Sequence, residues 1–221
     1  MNPVNIYYIK YREKLEENTF KEFLVLLPAF LQAEIKAYKH WESAQASLLG
    51  KMLLLYGMKK MQLDFSLDDI IVGYKDRPYI HKDFDFNISH SGEFVMVAIS
   101  KGAKVGIDIE KHRKLEVALF RKYFNDHEWN RIEQAADPLR AFFELWAIKE
   151  SAIKCDGRGV EVLSQTHIHS NVTKRIVICD AKEFYFQLIQ LAAHYACSVC
   201  SDKEIEVRLE ELTIPDLKSH K

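Results

Sequence analysis

Cysteine, proline and glycine are scarce in this chain: its 221 residues include 4, 5 and 8 of them. The four cysteines, Cys155, Cys179, Cys197 and Cys200, are few for this length, so a disulfide framework is not expected and the cytoplasm is the expected setting. An excess of one charge is also lacking. The 31 Lys and Arg against 32 Asp and Glu give a net charge of -1, so no global positive field is available for nucleic acid or an anionic membrane, and any anion must be met locally. The longest apolar run, residues 94–99, falls far short of the roughly 20 residues that span a bilayer, as does the run at 53–56. Residues 1–11 read as a strand rather than as a charged-then-apolar leader. What the chain does have is 48% hydrophobic residues, enough for a substantial core, which excludes general disorder.

The hydrophobic periods alternate along the chain. Val4, Ile6 and Tyr8 predict an opening strand over residues 2–11. From Leu15 to Leu27 the spacing lengthens to a helix that stops at Pro28, and residues 30–38 continue helically. A long buried helix is expected over residues 40–61, interrupted by Gly50 and Gly57. After short β segments at 64–74 and a turn at Asp76-Arg77-Pro78, residues 84–89 and 94–100 flank His90-Ser91-Gly92-Glu93 as a hairpin. Residues 101–104 link the halves, 105–110 form a strand, helical material runs to about residue 154, and 160–214 read as four or five strands. The expected fold is therefore α+β and pseudo-duplicated, with each half a mostly antiparallel sheet packed with helices: residues 1–102, 103–215 and a polar tail at 216–221.

The chemistry concentrates in a few stretches. In Val105-Gly106-Ile107-Asp108-Ile109-Glu110 the two acids alternate with two isoleucines, so both carboxylates share one face of a strand. At ~4 Å and an effective dielectric near 20 they repel by about 4 kcal/mol, a cost that a divalent cation removes; as solvated acids on a sheet edge they need none. In the breaker-free helix 142–154, Trp146, Glu150 and Lys154 form one stripe with Lys149 beside it. Glu150 and Lys154 read either as an ordinary i,i+4 ion pair or, in so apolar a helix, as charges that need a ligand. Asp108, Glu110 and Glu150 together form a hard-oxygen set suited to Mg2+, with Mn2+ accepted by the same ligands. Cys197 and Cys200 point to opposite faces of a strand and have no second pair, and His167 and His169 read as surface groups. The polar run Phe86-Asn87-Ile88-Ser89-His90-Ser91-Gly92 is either ordinary turn chemistry or a phosphate cradle. Glu128 opens a helix capped by Asn125 or Asp126, and Lys111, His112, Arg113, Lys114, Arg121 and Lys122 make a local basic segment suited to an acidic partner or simply to solvent.

Taken in order, Phe86-Asn87-Ile88-Ser89-His90-Ser91, the run from Val105 to Glu110, Phe124-x-x-x-Glu128 and Trp146-x-x-Lys149-Glu150-Ser151-x-x-Lys154 resemble the signature of the 4'-phosphopantetheinyl transferases. The Sfp-type group, with two similar α+β halves in one chain, is more similar than the half-length trimeric holo-acyl-carrier-protein synthases, and the strongest part spans residues 77–159. The resemblance implies Mg2+-dependent transfer of 4'-phosphopantetheine from coenzyme A to a serine of an acidic acyl or peptidyl carrier protein, with release of adenosine 3',5'-bisphosphate. It implies Asp108, Glu110 and Glu150 as metal ligands, Lys154 and Lys149 at the leaving phosphate, and Glu128 as the base for the serine. Arg77, Ser89 and His90 would lie near coenzyme A, and the chain would be a monomer with its site between the halves. At the nucleotide end the chain departs from the family: Ala46 replaces the usual arginine, and two positions that are often basic fall near Leu31 and Glu34, with Lys36, Lys39 and Lys51 close by. Two other readings remain. One is a metal-dependent phosphodiester hydrolase, weakened by the absence of a basic track. The other is a silent carrier-protein or coenzyme A binding module.

Overall fold

The computed structural model describes residues 2–73, 77–80, 83–170 and 175–219. The opening alternation becomes strand β1 (Asn2–Lys10), and the lengthened period gives helices α1 (Glu17–Leu24) and α2 (Ala29–Ala37), with Pro28 as the N-cap of α2. Helix α3 (Trp41–Lys60) runs through both Gly50 and Gly57, contrary to the expected interruption. These glycines let the helix lie directly on the sheet: a Cβ on Gly57 would overlap Ile99 and come within 2.7 Å of Tyr7. Close approach outweighs the helix-propensity cost of glycine here. Two short strands, β2 (Ile71–Val72) and β3 (Pro78–Tyr79), follow. Of the expected turn, Asp76 lies outside the described residues.

The hairpin is tighter than its sequence suggests. Strand β4 (Phe84–Ser91) includes His90 and Ser91, only Gly92 and Glu93 form the turn, and β5 (Phe94–Lys101) returns. Next come β6 (Val105–Lys111), a 3-10 segment at Val117–Tyr123, helices α4 (Asp126–Glu133) and α5 (Pro138–Asp156), and a second 3-10 segment at Gly159–Gln165. Strands β7 (Thr166–Ser170), β8 (Arg175–Cys179), β9 (Lys182–Leu188), β10 (Tyr195–Ser201) and β11 (Ile205–Leu212) then lead to helix α6 (Ile214–Ser219).

The fold is α+β, with two mostly antiparallel sheets of order β11-β1-β5-β4 and β6-β10-β9-β8-β7. Sequence order puts residues 205–212 with the second half, but β11 crosses back to pair in parallel with β1, from Asn2 opposite Ile205 to Ile9 opposite Leu212. The expected polar tail also differs. Residues 216–219 complete α6, whose Leu217 is buried and whose Lys218 donates to Thr19 of α1 at 2.9 Å; His220 and Lys221 lie outside the described residues.

Alternation along the strands builds three cores. Tyr7, Ile9, Val95, Val97 and Ile99 pack against α3, whereas Val4, Ile6, Met96 and Ala98 face the second sheet and meet Ile107, Ile109, Cys197 and Val199. On its other face the second sheet packs against α5 through Ala196 and Cys200. Cys197 and Cys200 therefore do point to opposite sides, and all four cysteines are buried and free.

The edge strands of the two sheets, β4 and β6, are joined by side chains rather than by a backbone ladder. Asp85, Asn87, Ser89 and Ser91 accept the N–H groups of Val105, Ile107, Ile109 and Lys111 at 2.8, 2.9, 3.3 and 3.0 Å. The polar positions read as a possible phosphate cradle thus form a zipper that satisfies the open edge of β6. On the other side of β6, Gly106 touches the backbone of α5: a Cβ there would overlap Ser151 O and lie 2.5 Å from Cys155 N. Backbone yields less readily than a side chain. Gly106→Ala should therefore destabilise the protein by about 2–4 kcal/mol in urea titration; an unchanged midpoint would show that α5 is free to move away.

Candidate functional site

The alternation on β6 sends Ile107 and Ile109 into the inter-sheet core and turns Asp108 and Glu110 toward α5. From α5, Trp146, Glu150 and Lys154 descend on one stripe. Together they line a cleft of about 420 Å³ between β4, β6 and α5, completed by Ser89, His90 and Arg113 and walled by aromatic residues including Phe120 and Phe143. Five expected residues therefore meet, together with Ser89 and His90 from β4. Arg113, known from sequence only as part of a basic segment, is the ion-pair partner of Glu110 at 3.0 Å. The aromatic wall was not singled out as part of a site. Its signal was the density of Phe and Trp in 120–146, which a packed helix explains equally well: Trp146 meets Phe120 edge-on and stacks on Phe142.

Charge in the cleft is tightly arranged. Lys154 Nζ lies 2.6 Å from Asp108 Oδ1 and also donates to Ser89 Oγ at 3.2 Å and Ile107 O at 3.3 Å. Asp108 is 4% exposed, and its Oδ2 is buried with no hydrogen-bond partner among the described residues. Burial and the neighbouring Asp108 push the Glu150 carboxyl up to about 7, against the pull of Lys154. The same two causes raise Glu110, opposed by Arg113. Burial, and then the positive charges of Lys154 and Lys51, hold the His90 imidazole below its usual value, which keeps it neutral near pH 7.

Among the described residues no group of three or more His, Cys, Asp or Glu side chains is already gathered tightly enough to hold an ion. Yet the donor chemistry suits a hard cation: three carboxylates on one cleft, an orphaned buried oxygen on Asp108, and a Glu150 carboxyl pushed up by burial and by the neighbouring Asp108. Two cationic side chains, Lys154 and Arg113, now balance part of that charge.

Three other expected residues are not brought to the cleft. Arg77 lies at the Asp85–Val105 end of the β4–β6 seam. Its guanidinium makes two bonds to Asp85 at 2.7 and 3.0 Å, and it donates to Val105 O at 3.0 Å and Lys154 O at 2.9 Å. It ties β4, β6 and the end of α5 together rather than reaching a ligand in the cleft. Glu128 and Lys149, 2% and 0% exposed, pair with each other at 3.0 Å inside the second half. Glu128 Oε1 accepts the Ile168 N–H at 2.8 Å, Oε2 accepts the Asn125 N–H at 3.0 Å, and Asn125 returns the cap to Glu128 N–H. Lys149 also donates to Thr166 O and lies 5.3 Å from the Phe124 ring centre. Burial lowers the Lys149 ammonium, and Glu128 opposes the shift. Lys149 and Glu150 are consecutive, and in a helix that step of ~100° turns one side chain inward and the other to the cleft.

At the expected nucleotide end, Leu31 and Ala46 are core residues, and Lys51 is held by Glu34 at 3.0 Å and Ser47 at 2.8 Å. Lys36 opens onto a separate groove between α1 and α2. No described helix is long and apolar enough to cross a membrane.

A family model described as the 4'-phosphopantetheinyl transferase superfamily matches residues 104–200, and one described as 4'-phosphopantetheinyl transferase, N-terminal, matches residues 14–102. The chain is 28% identical over 205 residues to the 4'-phosphopantetheinyl transferase gsp of Aneurinibacillus migulanus, covering 90% of this chain and 86% of that one. It is 25% identical over 212 residues to the 4'-phosphopantetheinyl transferase Sfp of Bacillus subtilis (strain 168), covering 90% and 92%. The crystal structure of the Thermotoga maritima holo-[acyl-carrier-protein] synthase aligns with a TM-score of 0.38 and 13% identity, over 44% of this chain and 61% of that one.

The buried pair makes a stability prediction. Lys149→Met strands the Glu128 carboxylate and should cost about 3–5 kcal/mol. In a double-mutant cycle with Glu128→Gln, the combined loss should fall short of the sum by more than about 1 kcal/mol; additive losses in urea titration would mean that the two groups do not interact.

Proposed function

Because the chain belongs to the 4'-phosphopantetheinyl transferase superfamily, a family of enzymes, we propose that it moves 4'-phosphopantetheine from coenzyme A to a serine hydroxyl of an acyl or peptidyl carrier protein. The observation that carries this reading is the convergence of Asp108, Glu110, Glu150 and Lys154 on one cleft. The serine oxygen forms a bond to the phosphorus bearing the pantetheine arm, the bond to the second phosphate breaks, and adenosine 3',5'-bisphosphate leaves. Asp108, Glu110 and Glu150 would hold Mg2+, or Mn2+ on the same oxygens, and the bound cation supplies neutralisation of the diphosphate charge.

The chain's own groups supply the rest. Ser89 and Lys154 orient the Asp108 carboxylate through Oδ1, and Oδ2, which has no hydrogen-bond partner among the described residues, would be available to hold the cation. Lys154 also offers its ammonium to the leaving phosphate, and neutral His90 offers a hydrogen bond without adding charge. Glu150 lines the cleft and would take the serine proton there, whereas Glu128 is paired with Lys149 in the interior. The exposed Lys111, Arg113, Lys114 and Lys122 beside the cleft, with Leu119 exposed among them, suit an acidic carrier surface that also presents an apolar contact. The enzyme acts as a cytoplasmic monomer.

The direct test is the mass of the carrier. Incubation with coenzyme A, Mg2+ and apo carriers of the fatty acid, polyketide and nonribosomal peptide types should add phosphopantetheine to at least one of them. Coenzyme A binding without mass gain on any carrier would sink the proposal, as would cleavage of a phosphodiester with no carrier modified. Asp108→Ala and Glu150→Gln should each lower transfer by at least about a hundredfold. Glu150 also gives a pH signature. Its folded-state value is raised from 4.5 to about 7, so in chelator the folded state binds the extra proton and this carboxyl lowers stability as pH rises through that window. Glu150→Gln should therefore raise the urea midpoint at about pH 8 and leave it unchanged at about pH 4; equal midpoints at both pH values would remove Glu150 from the repulsive cluster.

A further inference from the structure

A large apolar hollow shares no lining residue with the cleft. It lies between α1, α2 and the start of α3, has a volume of about 880 Å³, and is lined by Leu15, Phe20, Leu24, Val25, Trp41 and Ala44. It is preformed. Gln45, 1% exposed, accepts the Leu15 N–H at 2.7 Å and donates to Glu13 O at 2.9 Å, which pins the segment before α1 against α3. Gln32, on the α2 side, is anchored to Leu27 O at 2.8 Å.

The rim is polar and lopsided in charge. Lys14, Lys21 and Lys36 border the hollow against a single acid, Glu17. That acid pairs with Lys21 at 2.5 Å, one helical turn away, and also feels the charge of Lys14, while Lys14 and Lys36 are exposed and neither makes a close ion pair among the described residues. An apolar floor of small-molecule size beneath two exposed ammonium groups complements a ligand with an apolar body and one anionic head. Trp41, 38% exposed, and Val25, 70% exposed, leave apolar surface for such a body to cover. We propose that this groove binds a single-chain amphipathic carboxylate, such as a medium-chain fatty acid, at a site separate from the transfer cleft.

Decanoate is the probe, titrated into the intact protein by calorimetry and followed through Trp41 fluorescence. Saturable binding is expected, with decanol binding more weakly because it lacks the charge. The double variant Lys14→Glu/Lys36→Glu, whose side chains are both exposed, should weaken decanoate binding by about tenfold while its urea midpoint stays at the wild-type value. Trp41→Phe should abolish the fluorescence change and keep the calorimetric signal. The absence of saturable decanoate binding would overturn the proposal. Equal affinity for decanol, or an unchanged affinity in the lysine variant, would overturn the role of the charged rim. Self-association in sedimentation without decanoate binding would assign the groove to a second copy of the chain instead.

Discussion

The seam between β4 and β6 is the constraint on which the site depends. Two sheets could have continued into one another through a backbone ladder, but Asp85, Asn87, Ser89 and Ser91 stand in for that ladder with side-chain oxygens. Side-chain acceptors close the edge of β6, and the cleft forms where β6 faces α5. The Val105 and Ile109 N–H groups would otherwise be buried orphans costing about 1–3 kcal/mol each. Ser89 belongs to both systems: it closes the seam at Ile109 and touches Asp108 and Lys154 in the cleft. Joining the halves and building the floor of the cleft are therefore one structural event.

Three ion pairs divide the labour around that seam. Arg77 with Asp85 ties the seam to the last turn of α5. Glu128 with Lys149 ties the middle of α5 to α4 and β7, with every Glu128 oxygen matched to a donor. Both are internal, and their charges are compensated by hydrogen bonds as well as by each other. Asp108 with Lys154 differs: one carboxylate oxygen has no partner, and two further carboxyls press on it. A cluster held out of balance by its surroundings can hold a cation or take up a proton, whereas a balanced one mainly holds structure.

The geometry also separates neighbours that sequence spacing groups together. Lys149 and Glu150 are adjacent, yet one is the most buried lysine of the second half and the other lines the cleft. Gly106 does comparable service on β6, because its missing side chain lets α5 approach closely enough for Glu150 and Lys154 to face Asp108.

Sequence by itself was enough for whatever follows from local period and alternation. The α+β class, the order of nearly all elements, the shared face of Asp108 and Glu110 and the stripe of Trp146, Glu150 and Lys154 are all consequences of the periods of 2.0 and 3.6, which act over a few residues. Tertiary structure alone decided what depends on contacts between distant segments. It sent β11 back to β1, let α3 run through its two glycines, turned the polar run of β4 into a seam, and took Arg77, Glu128 and Lys149 away from the cleft. The physical reason is the same in each case: a strand edge, a glycine against an apolar side chain and a charged group each meet their partner across segments distant in sequence, and only the packed fold determines which partner that is.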